Sequence, residues 1–236
     1  MKKPIEIFNE LEKGILNIIK AADIYALYVS FNIKNELPPK ELIEELIKSP
    51  NVSSLTVVGD AYEEKVVKIL EQEGYLKQIG QQILLATYTS LEIYLIEKFR
   101  EYYKNILSDK DINFVENNLK KITFRSIEEI KNNYYEFLKI HLPSFDTDIF
   151  TTNKCNFLPK NAWDAIKLIA DARNEIAHTG ESKKYKIVTL TDSWYPFDFI
   201  RRWVDLFDVN FDMLVYDKRE TGLIKEYKKR LTFIPT

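Results

Sequence analysis

Apolar residues recur at helical spacing from the start of the chain. Ile5, Phe8, Leu11, Ile15, Ile18, Ile19, Ala22, Tyr25 and Val29 line one face of a helix over residues 5–33, with Gly14 weakening or bending it. Pro38 and Pro39 stop that element, and Pro39 suits the first turn of a short helix from Lys40 to Lys48. Pro50 to Gly59 is a strand-like patch, but it has no second strand to pair with and reads as a loop. Asp60-Ala61-Tyr62-Glu63 has the form of a capping box that starts a new helix, and Gly74 and Gly80 then break the pattern. Gln81 to Leu107 forms the longest apolar helix. Ser126-Ile127-Glu128-Glu129 caps another, running through Tyr135, Leu138 and Ile140 to stop at His141-Leu142-Pro143. Residues 143–158 read as a polar loop. Pro159 to Ala177 is helical, with Gly180 placed as the glycine just past its end. Ser182 to Ser193 is a second polar loop, followed by a long helix from Pro196 to Tyr216 and a basic C-terminal helix carrying Lys225, Lys228, Lys229 and Arg230. The pattern predicts an all-α protein of roughly seven helices with a bundle as its core.

Composition narrows the setting. The chain has 236 residues, 45% of them hydrophobic, with few Gly and Pro. Long regular elements around a substantial core are therefore expected. The net charge of −2 supplies no global attraction to nucleic acid or anionic lipid, so any RNA contact rests on a local basic patch. The lone Cys155 excludes an intrachain disulfide and suits a reducing compartment. The most apolar stretch, Ile83 to Ile96, is short of the roughly 20 residues needed to span a bilayer. A cytoplasmic protein with no membrane association is expected.

The chemistry concentrates in Arg173-Asn174-Glu175-Ile176-Ala177-His178. The chain has only two histidines, and this one follows an arginine at the end of a predicted helix. An imidazole exchanges protons near neutral pH. A guanidinium stays charged and matches the geometry of a phosphate. On the helical wheel Ala162, Ile166, Ile169, Arg173 and Ile176 share one stripe, and Trp163, Ala170, Asn174 and His178 share its neighbour. Arg173 thus interrupts an apolar face, which is costly without a partner. A purely structural role is open for both residues: Arg173 paired with a carboxylate such as Glu92, and His178 bonded to a terminal carbonyl; alternatively Glu92 supports the site by holding Arg173 toward a phosphate.

The same run, with its flanking helices, resembles the HEPN superfamily of small helical bundles, many of them metal-independent endoribonucleases. The family signature is an Arg, often followed by Asn, then a short spacer and a His, at the end of a late long helix with another long helix after it. Ala86 to Phe99 looks like the family's first core helix and Phe114 to Pro143 like its second. The resemblance covers roughly residues 75–220. It implies a HEPN-like helical bundle over residues 73–236 with an N-terminal helical extension, residues 1–72, that has no counterpart. It further implies a homodimer whose two Arg/His pairs face a common groove. RNA is then cut by its own 2′-hydroxyl, leaving a cyclic phosphate, with no metal and no cofactor. His178 becomes the general acid or base, Arg173 the phosphate ligand, and Asn174 a residue that orients the His or touches RNA. Many such enzymes are toxins or abortive-infection effectors against phage, which implies a cognate antitoxin or defence-system partner. Others have lost catalysis and serve as modules for dimerisation and for binding partners or nucleic acid.

Other residues add to this picture. The stripe of Trp163, Ile166 and Ala170 is apolar enough to meet a copy of itself. Lys183-Lys184-Tyr185-Lys186 comes directly after the motif and is suited to an RNA backbone, with Arg201 and Arg202 as further basic candidates. Asp146 and Asp148 are too few for a metal site, and His141 reads as structural.

Overall fold

In the computed structural model, residues 2–48, 64–142, 158–187 and 190–220 are described. They form eight helices: α1 (Pro4–Ile33), α2 (Lys40–Lys48), α3 (Glu64–Gln72), α4 (Tyr75–Ile106), α5 (Ile112–Leu119), α6 (Ile127–Leu138), α7 (Ala162–Thr179) and α8 (Leu190–Glu220). No strand occurs among the described residues, and the all-α expectation holds. The strand-like patch at 50–59, the capping box at 60–63, Asp146, Asp148, Cys155 and the basic segment from Lys225 lie outside the described residues.

Local sequence explains most boundaries. Ser126 caps α6, its Oγ accepting from the Glu129 amide at 3.2 Å. The Glu129 carboxylate reaches back to the Arg125 amide and the Thr123 hydroxyl, one residue beyond the usual box. Asn161 caps α7, accepting from the amides of Trp163 at 2.9 Å and Asp164 at 3.2 Å, so this helix starts later than Pro159. Asp111 caps the short α5, which the apolar pattern did not separate. Gly74, at φ +68°, separates α3 from α4.

Two punctuation signals are overridden. Gly80 is buried inside α4. An interior glycine costs only about 0.5–1 kcal/mol, which the packing of a 32-residue helix outweighs. Pro196 does not start α8 but lies inside it, beyond Leu190. A proline has no amide for the carbonyl four residues back, here Asp192. The Tyr185 hydroxyl donates to that carbonyl instead, at 2.6 Å.

The chain divides into two compact units, and the division falls within α1, α4, α7 and α8. One comprises residues 1–9, 89–170 and 199–236. Aromatic rings fill it: Tyr134 packs edge-on against Phe99 at 5.5 Å and Phe207 at 6.1 Å, and Trp203 stacks on Phe207 at 5.0 Å. Burial pushes the Tyr134 phenol well above its ordinary range, and its hydroxyl donates to the Leu95 carbonyl at 2.6 Å. The buried Lys98 ammonium pairs with Asp208 at 2.8 Å, and the Tyr94 hydroxyl donates to the same carboxylate oxygen at 2.7 Å. Trp163, Ile166 and Ala170 are also buried, at 4%, 0% and 3% exposure, because they face this core. That stripe is therefore not available to a second copy.

The other unit comprises residues 10–88 and 171–198. Its spine is α1. Ile15 and Ile19 pack with Ile83 of α4 and Phe197 of α8. Ala26 packs with Val66 and Leu70 of α3 and Leu76 of α4, and Leu27 packs with Leu46 of α2. α1 is also long and apolar enough to cross a bilayer by length and composition, with a mean hydropathy of 1.3 over an 18-residue window. Within this unit, however, its apolar stripe is occupied by other helices.

Candidate functional site

The motif residues from Arg173 to His178 all lie in the second unit, at the C-terminal end of α7. There α7 runs antiparallel to the first half of α4. Gln81 Nε2 donates to the Gly180 carbonyl at 2.7 Å, and Tyr88 meets Arg173. The step from Gln81 to Tyr88 on α4 equals the step back from Gly180 to Arg173, so the two helices keep one register.

Arg173 is half-buried and held twice. Its Cζ lies 5.4 Å from the centre of the buried Tyr88 ring, within cation–π range. Its Nη1 donates to Asn174 Oδ1 at 2.9 Å. Asn174 and His178 are exposed, and among the described residues the His178 imidazole makes no hydrogen bond or ion pair. On an ideal helix Arg173 is about 140° from His178 around the axis, whereas Asn174 is only about 40° from it. Asn174 therefore draws the guanidinium toward the face that carries the imidazole. Glu92, the expected partner of Arg173, is half-buried one turn beyond Tyr88 on α4 and belongs to the other unit.

Glu175, which linear spacing does not single out, organises the loop between α7 and α8. Its Oε2 accepts from Ser182 Oγ at 2.7 Å and from the amides of Lys183 at 2.8 Å and Lys184 at 3.3 Å. These bonds, led by that from Ser182, hold its carboxyl below the usual carboxylate range. Gly180, at φ +78°, turns the chain out of α7, and its amide bonds the Ile176 carbonyl at 2.9 Å. Tyr185 anchors the far end of the loop through its bond to Asp192. A Glu inside the motif with Ser and two lysines after it was a usable signal for this lock, but nothing in the linear pattern shows that the loop folds back onto it.

The loop lysines are presented differently. Lys184 Nζ is bound to Asp171 at 2.6 Å, an exposed pair that solvent and salt screen. Lys183 and Lys186 are exposed and have no ion pair among the described residues. Arg201, half-buried, and Arg202, exposed, are on α8 in the other unit. Beside the loop is a cleft of about 360 Å³, whose lining includes Glu71, Lys77 and Gln81 on one side and Ile176, Tyr185 and Lys186 on the other. Among the described residues there is no group of three or more His, Cys, Asp and Glu side chains arranged to hold a metal ion.

No protein-family model matches the chain, and neither does any curated protein or solved structure.

Chemically, the helix end and the start of the loop after it offer one exposed proton-transfer group, one prepositioned guanidinium, one amide and, on Lys183, an ammonium with no ion pair among the described residues. That set suits a phosphodiester: cations bind the phosphate, and the imidazole moves a proton.

Proposed function

We propose that this chain is a metal-independent endoribonuclease of the HEPN kind, cutting single-stranded RNA at Arg173 and His178. The observation that carries the reading is that one helix end carries both an exposed imidazole and a guanidinium held by Asn174 and the Tyr88 ring. Arg173 binds the phosphate and offsets the charge of the transition state. His178 takes the proton of the 2′-hydroxyl or gives one to the departing 5′-oxygen. The attacking and departing oxygens lie on opposite sides of the phosphorus, so one imidazole serves one of them. A second copy of the chain supplies the other, which makes a homodimer part of the proposal. With the Trp163 stripe buried, the two copies meet around Asn174, Ala177 and His178, all exposed on α7. A place in toxin action or anti-phage defence, with an antitoxin or other defence partner, rests on the family resemblance.

The test is cleavage of a labelled single-stranded RNA in EDTA, with product ends identified. The parent protein leaves 2′,3′-cyclic phosphate, and His178→Ala slows cleavage by about 10²–10⁴-fold. Light scattering gives twice 27.9 kDa. Equal rates for parent and His178→Ala overturn the assignment, and a strict monomer without cleavage favours a catalytically inactive binding module.

A further inference from the structure

The cleft beside the motif has a chemical polarity that the cutting reaction does not use. Its α3–α4 side carries acceptors. Glu71 is exposed and its carboxylate has no partner among the described residues. Gln81 has its Nε2 committed to the Gly180 carbonyl, which leaves its Oε1 as an acceptor. The loop side carries the unpaired ammonium of Lys186. The same lining includes Ile176, Tyr185 and Ile187, each 6% exposed, which add an apolar component to the walls. The remaining charges, Lys77 and Glu181, bind each other at 2.8 Å and cancel.

A ligand matched to this lining has an apolar face, N–H donors on one edge and an anion at the other end. That is a nucleotide. Of the four RNA bases, guanine presents two adjacent donors, N1–H and the N2 amino group, and a carboxylate accepts both in parallel. Adenine, cytosine and uracil each place an acceptor beside the donor, which a carboxylate repels. Ile176 belongs to the motif but is about 160° from His178 around the helix axis. An occupant of the cleft is therefore not the residue being cut but one flanking it.

We propose that the cleft is a guanine pocket, with Glu71 and Gln81 reading the base edge and Lys186 taking its phosphate. Resting on the nuclease reading, it selects RNA with a guanosine next to the cut.

The experiment titrates 5′-GMP, 5′-AMP, 5′-UMP and the nucleoside guanosine into the full-length protein in EDTA by calorimetry. It is repeated with Glu71→Gln and Lys186→Ala, and RNA cut sites are mapped in parallel. GMP is expected to bind roughly tenfold or more tighter than UMP, as a good bidentate pair gives. Glu71→Gln, on an exposed position of α3, abolishes the preference in both binding and cut-site choice. Lys186→Ala weakens GMP but leaves guanosine unchanged. Equal binding of the three nucleotides, or a GMP preference that survives Glu71→Gln, overturns the pocket. His178-dependent cleavage without a GMP preference removes the pocket and keeps the nuclease. A GMP preference lost in Glu71→Gln, in a protein that cuts no RNA, supports the pocket and removes the nuclease.

Discussion

Replacing Tyr185 by Phe removes one oxygen and tests how the loop after the motif is tied down. The hydroxyl donates at 2.6 Å to the Asp192 carbonyl, the one that Pro196 cannot serve. Tyr185 itself is buried, so its ring stays in place when the oxygen is lost. Removing the donor from a part-buried carbonyl costs about 1–3 kcal/mol. In a chain of this length each kcal/mol moves the melting midpoint by about 2–4 °C. The same substitution made with Pro196→Ala provides the control. Alanine restores an amide at position 196, which donates to the Asp192 carbonyl inside α8, and the hydroxyl becomes redundant. Tyr185→Phe should then cost less, with a coupling between the two sites of about 1 kcal/mol. Chemical denaturation followed by tryptophan fluorescence measures all four proteins, and amide exchange at Lys183 to Ile187 reports the loop directly. Equal cost of Tyr185→Phe in both backgrounds refutes the reasoning, because it means that the hydroxyl does not stand in for the missing amide.

Arg173→Ala removes a cation–π contact and one hydrogen bond. It should lower stability by only about 1–2 kcal/mol while abolishing RNA cleavage. A loss of about 3–5 kcal/mol, matched by Glu92→Gln, would show instead a structural ion pair between them. The Glu175 carboxyl is held below its ordinary range, so its share of loop stability is complete above the unfolded-state value and is lost as the pH falls through the lower folded value. Protection of the Lys183 and Lys184 amides against exchange, measured relative to the intrinsic rate at each pH, should therefore fall in acid, and Glu175→Gln should remove that pH dependence. Asp208→Ala strands the buried Lys98 ammonium and should cost about 3–5 kcal/mol in denaturant unfolding, whereas Lys98→Met with Asp208→Leu and Tyr94→Phe, which removes every polar partner at once, should be nearly neutral.

Helical periodicity and caps were enough to read the helices along most of the described chain. α2 runs from Lys40 to Lys48 as its proline and apolar spacing require, Ser126 caps α6, and Gly180 ends the turn out of α7. These are interactions between residues a few positions apart, which a linear pattern carries in full. The candidate residues were legible for the same reason: an Arg and a His of distinctive chemistry stand at a helix end that spacing alone locates. Tertiary contacts decided the rest. Gly80 stays helical and Pro196 lies within α8 because packing, and a hydroxyl from a different element, offset costs that local signals count in isolation. The Trp163 stripe looks like an interface on a wheel and is core in the fold, since a wheel shows which residues share a face but not what covers it. Arg173 answers to Tyr88 on α4, Glu175 grips Ser182 and the Lys183 and Lys184 amides, and Glu71 comes to line a cleft with Lys186. Each of these depends on the crossing of elements distant in the chain or on the path of a loop. That geometry is set by the packing of whole helix faces, which no short run of residues specifies.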